Sequence, residues 1–112
     1  MTDYIWITTE KEFIHYYPDA PEEVKFLRNE HRHIFKFKIY IGVTHDIDRD
    51  VEFIMCKRFV DKVLDGYEKS GTFSCEQLAD ALYFDIAIKY PMKPVKIEVS
   101  EDGENGCLKE YD

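Results

Sequence analysis

The stretch from His31 to about His45 constrains this chain most. His31, His33, Phe35, Phe37, Ile39, Ile41 and Val43 fall at every second position, while Lys36, Lys38 and Tyr40 take the other parity. Side chains of a strand alternate between two faces, so the spacing predicts a strand with one apolar face that also carries both imidazoles. Imidazoles on a buried face need partners for their ring nitrogens. A divalent metal supplies one partner for both. Pairing with nearby carboxylates such as Glu30 or Asp19 is the alternative.

The neighbouring segments give this strand its company. Tyr4 to Tyr17 is rich in aromatic and β-branched residues and reads as one long or broken strand, ended by Pro18 and Pro21, which cannot donate to a ladder. Glu22 to Glu30 is a connector with room for a helical turn. His45 to Asp50 is a polar turn; with Glu52 it is acidic, but it lacks the calcium-loop pattern and reads as a solvated turn before a helix. Val51 to Tyr67 places Phe53, Cys56, Phe59/Val60, Val63/Leu64 and Tyr67 at helical steps, and Gly66 with Ser70-Gly71 provides the break. Ser74 and Gln77 form a capping box for a second helix that buries Leu78, Leu82, Ile86 and Tyr90 and stops before Pro91. Val95 to Glu101 alternates again, and Cys107 to Tyr111 pairs with it across a turn.

This order predicts an α+β fold, ββααββ: a four-stranded antiparallel sheet with both helices on one face. The other sheet face is then left for another copy of the chain. With 112 residues, no repeat and no linker composition, residues 1–112 read as a single domain. Fifteen Lys and Arg against 23 Asp and Glu give a net charge of −8, which argues against a nucleic-acid surface. No apolar run reaches the length of a membrane span, and no signal pattern opens the chain. Cys56, Cys75 and Cys107, widely spaced and odd in number, suit reduced thiols in a cytoplasmic protein.

The metal reading requires a third ligand. His15 shares parity with Phe13 on the first strand, which can lie beside the second, and three histidines leave a tetrahedral zinc one open position. Glu101 continues the parity of Val95, Ile97 and Val99, whereas Glu98 has the opposite parity and faces water. An inward carboxylate there can accept two N–H bonds from the amidine-like edge of a pterin or guanine. A solvated glutamate at a fraying strand end is the competing reading.

These residues together resemble, over nearly the whole chain, the 6-pyruvoyl-tetrahydropterin synthase and 6-carboxytetrahydropterin synthase family, which has the tunnelling fold, or T-fold. The carrying motifs are His15-Tyr16-Tyr17-Pro18, His31-Arg32-His33, Gly42, Glu52-Phe53, Ser74-Cys75-Glu76-Gln77-Leu78-Ala79, and Glu101 followed five residues later by Gly106. The resemblance implies zinc on His15, His31 and His33, and a pterin-type ring gripped by Glu101 with the Ser74-Cys75 segment. It implies a homo-oligomer, joined through its sheets, with pockets between subunits. Two family parts are missing. Lys25-Phe26-Leu27-Arg28 stands where a catalytic cysteine is expected, and Leu64-Asp65-Gly66 replaces an Asp-His pair. Acid/base groups contribute roughly 10²–10⁴-fold each, so substitutes are needed, and Glu30, His45 and Cys75 are the candidates. Lys25, Arg28, Arg32, Lys36 and Lys38 cluster along the sequence near the two histidines and could offset the acidic balance for a charged ligand. The expected activity is zinc-dependent, lyase-type chemistry on a pterin or related purine-derived ring; the alternative is an inactive protein that sequesters such a molecule.

Overall fold

A computed structural model describes residues 2–44 and 49–112. Strand β1 (Asp3–His15) pairs antiparallel with β2 (His31–Val43) along their full lengths, with Ile7 opposite Ile39, Phe13 opposite His33 and His15 opposite His31. Both strands keep their odd-numbered residues on one face, so the alternation in sequence becomes a largely apolar surface, interrupted on β1 by Thr9 and Lys11, which bond to Asp61 and Asp65. A 3-10 helix, Glu22–Arg28, occupies the connector. Arg28 closes that loop by donating from Nε and Nη2 to the Ala20 carbonyl.

Helix α1 (Phe53–Asp65) starts two residues later than its periodicity predicts. The Glu52 side chain accepts from the backbone N–H groups of Ile54 and Met55 and caps it, while Phe53 stays exposed. Its buried stripe is Cys56, Val60 and Leu64. Helix α2 (Cys75–Lys89) begins at the predicted capping box: Gln77 N–H donates to Ser74 Oγ and Ser74 N–H donates to Gln77 Oε1. Between the helices lies β3 (Ser70–Gly71), followed after α2 by β4 (Val95–Glu101) and β5 (Asn105–Tyr111).

The sheet order is β3-β1-β2-β4-β5. The fold is therefore α+β, but the sheet has five strands and is mixed, which corrects the expectation of four antiparallel strands with two helices. The added strand β3 runs parallel to the end of β1, pairing Ile14 with Ser70 and His15 with Gly71. Two residues carry no periodicity, and Ser-Gly reads as a break, so this strand leaves no signal in the sequence. The third helix is the short 3-10 segment.

Helix α1 packs on β1 and α2 on β4 and β5, both over the odd-numbered face. Phe13, Phe35, Phe37, Ile39, Val95 and Ile97 meet Val60, Leu64, Leu82 and Ile86 there, all essentially inaccessible. Gly42 is fixed by close approach: its N–H donates to Pro94 O, and a Cβ would lie 2.4 Å from Pro94 Cγ. The opposite sheet face is open in the single chain. It carries Lys38 over the Trp6 ring, Lys96 over Tyr4, and Tyr40 donating to Glu98. Among the described residues no helix is long and apolar enough to cross a membrane, and all three cysteines are free thiols.

Candidate metal centre

The odd-numbered face runs from apolar core to polar site at one end of the sheet. There the β1–β2 register sets His15 against His31 and Phe13 against His33, and His33 follows His31 on the same side. Each of the three histidines offers a ring nitrogen within 4.8 Å of the others.

What turns this proximity into a ligand set is the engagement of the other ring nitrogen. His15 Nδ1 lies 2.9 Å from the Phe73 carbonyl, His31 Nδ1 2.8 Å from the Asn29 carbonyl, and His33 Nδ1 2.6 Å from Asp102 Oδ2. All three partners are acceptors, so in each case Nδ1–H donates. A neutral imidazole with its proton on Nδ1 has its lone pair on Nε2, the form a divalent metal takes. Such outer partners orient metal-binding histidines and raise their basicity. His15 is also wedged between Phe35 and Phe73, at centroid distances of 5.1 and 5.8 Å.

Asp102 is locked in turn. Its Oδ1 accepts from Ile34 N–H, and its own N–H donates to Ile34 O. The bond from His33, followed by that from Ile34, holds its carboxyl below the ordinary range. Asp102 and Gly103 adopt left-handed φ of 58° and 77° to make the turn into β5.

Glu101 sits opposite Phe35, two positions along from His33 on the same face. Its Oε2 lies 2.9 Å from His15 Nε2, and its Oε1 lies 3.8 Å from His33 Nε2. Glu98, of opposite parity, accepts from Tyr40 Oη instead. His15 Nε2 is fully buried and makes no hydrogen bond. The donor set therefore fits a metal: three imidazole nitrogens, one of them buried and without a hydrogen bond, with a carboxylate close by.

A cleft of about 540 Å³ opens from this cluster, lined by His15, His31, Ser74, Cys75 and Glu101, with Tyr16, Tyr17 and Phe73 in its wall. The sequence-predicted metal and ring-binding residues are thus brought together, His33 standing just outside the cleft lining. The Ser74 hydroxyl oxygen is occupied as the N-cap of α2, which leaves only its proton to give. Burial, then Glu101, Cys107 and Glu76, pushes the Cys75 thiol up to about 12, so it stays protonated at neutral pH. Glu30 accepts from Ser70 Oγ at 3.4 Å and does not line the cleft. His45 lies outside the described residues.

The basic cluster near the histidines does not gather at the site. Lys25 and Arg28 pair with Glu22, and Arg32 pairs with Glu12. Arg32, Lys36 and Lys38 have even parity and point to the opposite sheet face, where a larger groove of about 760 Å³ holds Lys36 and Lys38 but none of the three histidines. Adjacency in sequence misled here because successive residues of a strand face opposite ways.

Phe73, Asn29 and Asp102 are the functional residues that sequence reasoning missed. The first two act through backbone carbonyls, which leave no signature in sequence. Asp102 had a signal, as the acid of an Asp-Gly turn next to Glu101. No protein-family model matches the chain, and no curated protein matches it in sequence.

Proposed function

We propose that this chain is an atypical member of the 6-pyruvoyl/6-carboxytetrahydropterin synthase type, a zinc-dependent protein performing lyase-type chemistry on a pterin or related purine-derived ring. The observation that carries this reading is the shared state of His15, His31 and His33. Each commits Nδ1 to an acceptor and leaves Nε2 for a metal, at the mouth of a cleft that also holds Glu101. Zinc, when bound, supplies Lewis acidity toward an oxygen of the ligand's side chain.

The chain's own residues orient the ring. Glu101 accepts from the N–H groups on the amidine-like edge of a pterin, a charge-assisted pair with directional preference. Tyr16, Tyr17 and Phe73 give the cleft flat apolar wall, and the Ser74 hydroxyl and Cys75 thiol contribute donors. We further place the protein in the cytoplasm as a homo-oligomer, with copies joined through the open sheet. No nucleic acid or membrane enters this reading.

One observation favours a second reading, in which the site binds and sequesters the ring without turnover. Cys75 is the thiol available in the cleft, and it is held protonated, so it can donate but not act as a base. Elemental analysis of the wild type beside a His31→Ala/His33→Ala variant tests the shared premise. Near one zinc per chain, lost in the variant, is expected; zinc absent from both overturns it. Incubating the zinc protein with reduced pterins bearing a C6 side chain then separates the readings, since turnover and unaltered retention are distinct outcomes.

A further inference from the structure

Glu101 stands against the histidine cluster itself, with one oxygen 2.9 Å from His15 Nε2 and the other 3.8 Å from His33 Nε2. The His15 side chain is 10% exposed, and its Nε2 has no hydrogen bond. Because Nδ1–H is committed to the Phe73 carbonyl, neutral His15 turns a lone pair toward a carboxylate oxygen. Two acceptors at that distance repel unless a proton or a metal ion lies between them. A proton would answer for the His15 contact alone. Ligand atoms around a tetrahedral zinc, with bonds of about 2.0–2.2 Å, lie roughly 3.3–3.6 Å apart. Oε2 stands closer than that to His15 Nε2 and Oε1 slightly farther from His33 Nε2, so a small shift of the carboxylate would bring one oxygen to ligand spacing.

We propose that Glu101 is the fourth ligand of the metal centre in the ligand-free protein, closing a set of three histidines and one glutamate. The proposal rests on the metal reading above and deepens it. At 29% side-chain exposure, Glu101 faces the cleft as well as the cluster. An incoming ring that offers N–H donors therefore competes with the metal for the same carboxylate. Taking Glu101 onto the ring frees the fourth position, so ring binding and opening of the metal become one event. A ligand with an oxygen side chain but no N–H edge lacks the means to open it.

The test uses Co²⁺ in place of zinc, with azide as the probe of an open position. One Co²⁺ per chain, lost in the His31→Ala/His33→Ala variant, establishes the metal reading independently of Glu101. In the wild type, azide is expected to leave the visible cobalt bands unchanged. In Glu101→Gln, azide is expected to shift them, and metal affinity to fall by more than about tenfold. Zinc-minus-apo infrared difference spectra should show a carboxylate stretch displaced in wild type and missing in the variant. Wild-type cobalt bands that shift with azide overturn the proposal, as does a Glu101→Gln spectrum identical to wild type. Either result leaves the three-histidine site standing, with a proton as the explanation of the His15–Glu101 contact.

Discussion

His15 and His31 face each other directly across the β1–β2 ladder, their ring centroids 4.5 Å apart. The three-histidine cluster is therefore a property of strand register, since a slip by one residue would send one imidazole to the opposite face. Beyond the 15 residues that join the two strands, the two-residue strand β3 pairs with His15 and holds that end of β1 in place.

Asp102 makes the outer contact of this set that mutation can reach, because Phe73 and Asn29 act through backbone carbonyls. Asp102→Gly suits the left-handed φ of 58° and removes the acceptor from His33 Nδ1. It should weaken metal binding by about 10–100-fold with the fold retained. Asp102→Asn turns one of the two accepting oxygens into an NH2 donor that must face either His33 Nδ1–H or Ile34 N–H, so it too should weaken metal binding. Competition against a chelator of known affinity measures both.

The capping box gives a prediction about stability. Ser74→Ala removes the acceptor for Gln77 N–H and should cost about 1 kcal/mol, lowering Tm by roughly 4 °C for a domain of this size. Metal content should not change, since the Ser74 side chain bonds to Gln77 N–H and the Phe73 carbonyl that holds His15 is backbone. Thermal unfolding followed by circular dichroism, with metal analysis on the same samples, reads both quantities.

These cases also show what was legible in the sequence. The periods of two and of three to four placed β2, α2 and β4 to within a residue or two, because their apolar residues sit on one face and nothing competes. His15, His31, His33 and Glu101 were readable as a group for the same reason: parity is a geometric statement. Phe53 was not, because the Glu52 side chain caps the helix and leaves the first apolar position in water. Lys36 and Lys38 lie near the histidines along the chain but on the opposite face of the sheet, because their parity differs.

Gly106 tests the site's support from β5. A Cβ at this position would lie 2.1 Å from Val99 O and 2.6 Å from Ser100 Cα. Backbone atoms of a paired strand cannot move aside as a flexible side chain would, so Gly106→Ala should push β5 away from β4. A loss of about 1–3 kcal/mol is expected, together with altered ring binding, because Gly106 and Asn105 line the cleft. Denaturant unfolding gives the first quantity and ligand titration the second.

Alkaline pH should weaken the fold. Burial, partly offset by a bond from Tyr90, pushes the Cys56 thiol to about 11, and burial with neighbouring Glu101 pushes Cys75 to about 12. Burial and then Asp85 raise Tyr67 as well. The unfolded chain gives up these protons first, so above pH of about 8.5–9 it binds fewer protons than the native state and stability falls as pH rises. Below that window these groups contribute no pH dependence. Urea midpoints should be flat from pH 7 to 8 and decline beyond pH 9, and alkylation of Cys75 at pH 8 should be far slower in native than in unfolded protein.

Trp6, the chain's one tryptophan, reports on the proposed assembly. It lies on the open sheet face, 55% exposed in the single chain, near one end of β1. Strand β1 is bordered on its outer side only at Ile14 and His15, and β5 ends the sheet on the other side, so among the described residues the sheet presents two edges. A second copy pairing there, or covering the face, would bury Trp6 and displace water from the Lys38 ammonium held 4.4 Å over its ring. Light scattering should then give a multiple of the 13.4 kDa chain mass, and Trp emission should shift to the red as the protein is diluted through dissociation. Trp6→Lys should move the equilibrium toward the single chain while leaving the three histidines, and hence metal uptake by each chain, in place. A mass of 13.4 kDa at all concentrations, with emission unchanged on dilution, would end the case for assembly through this face.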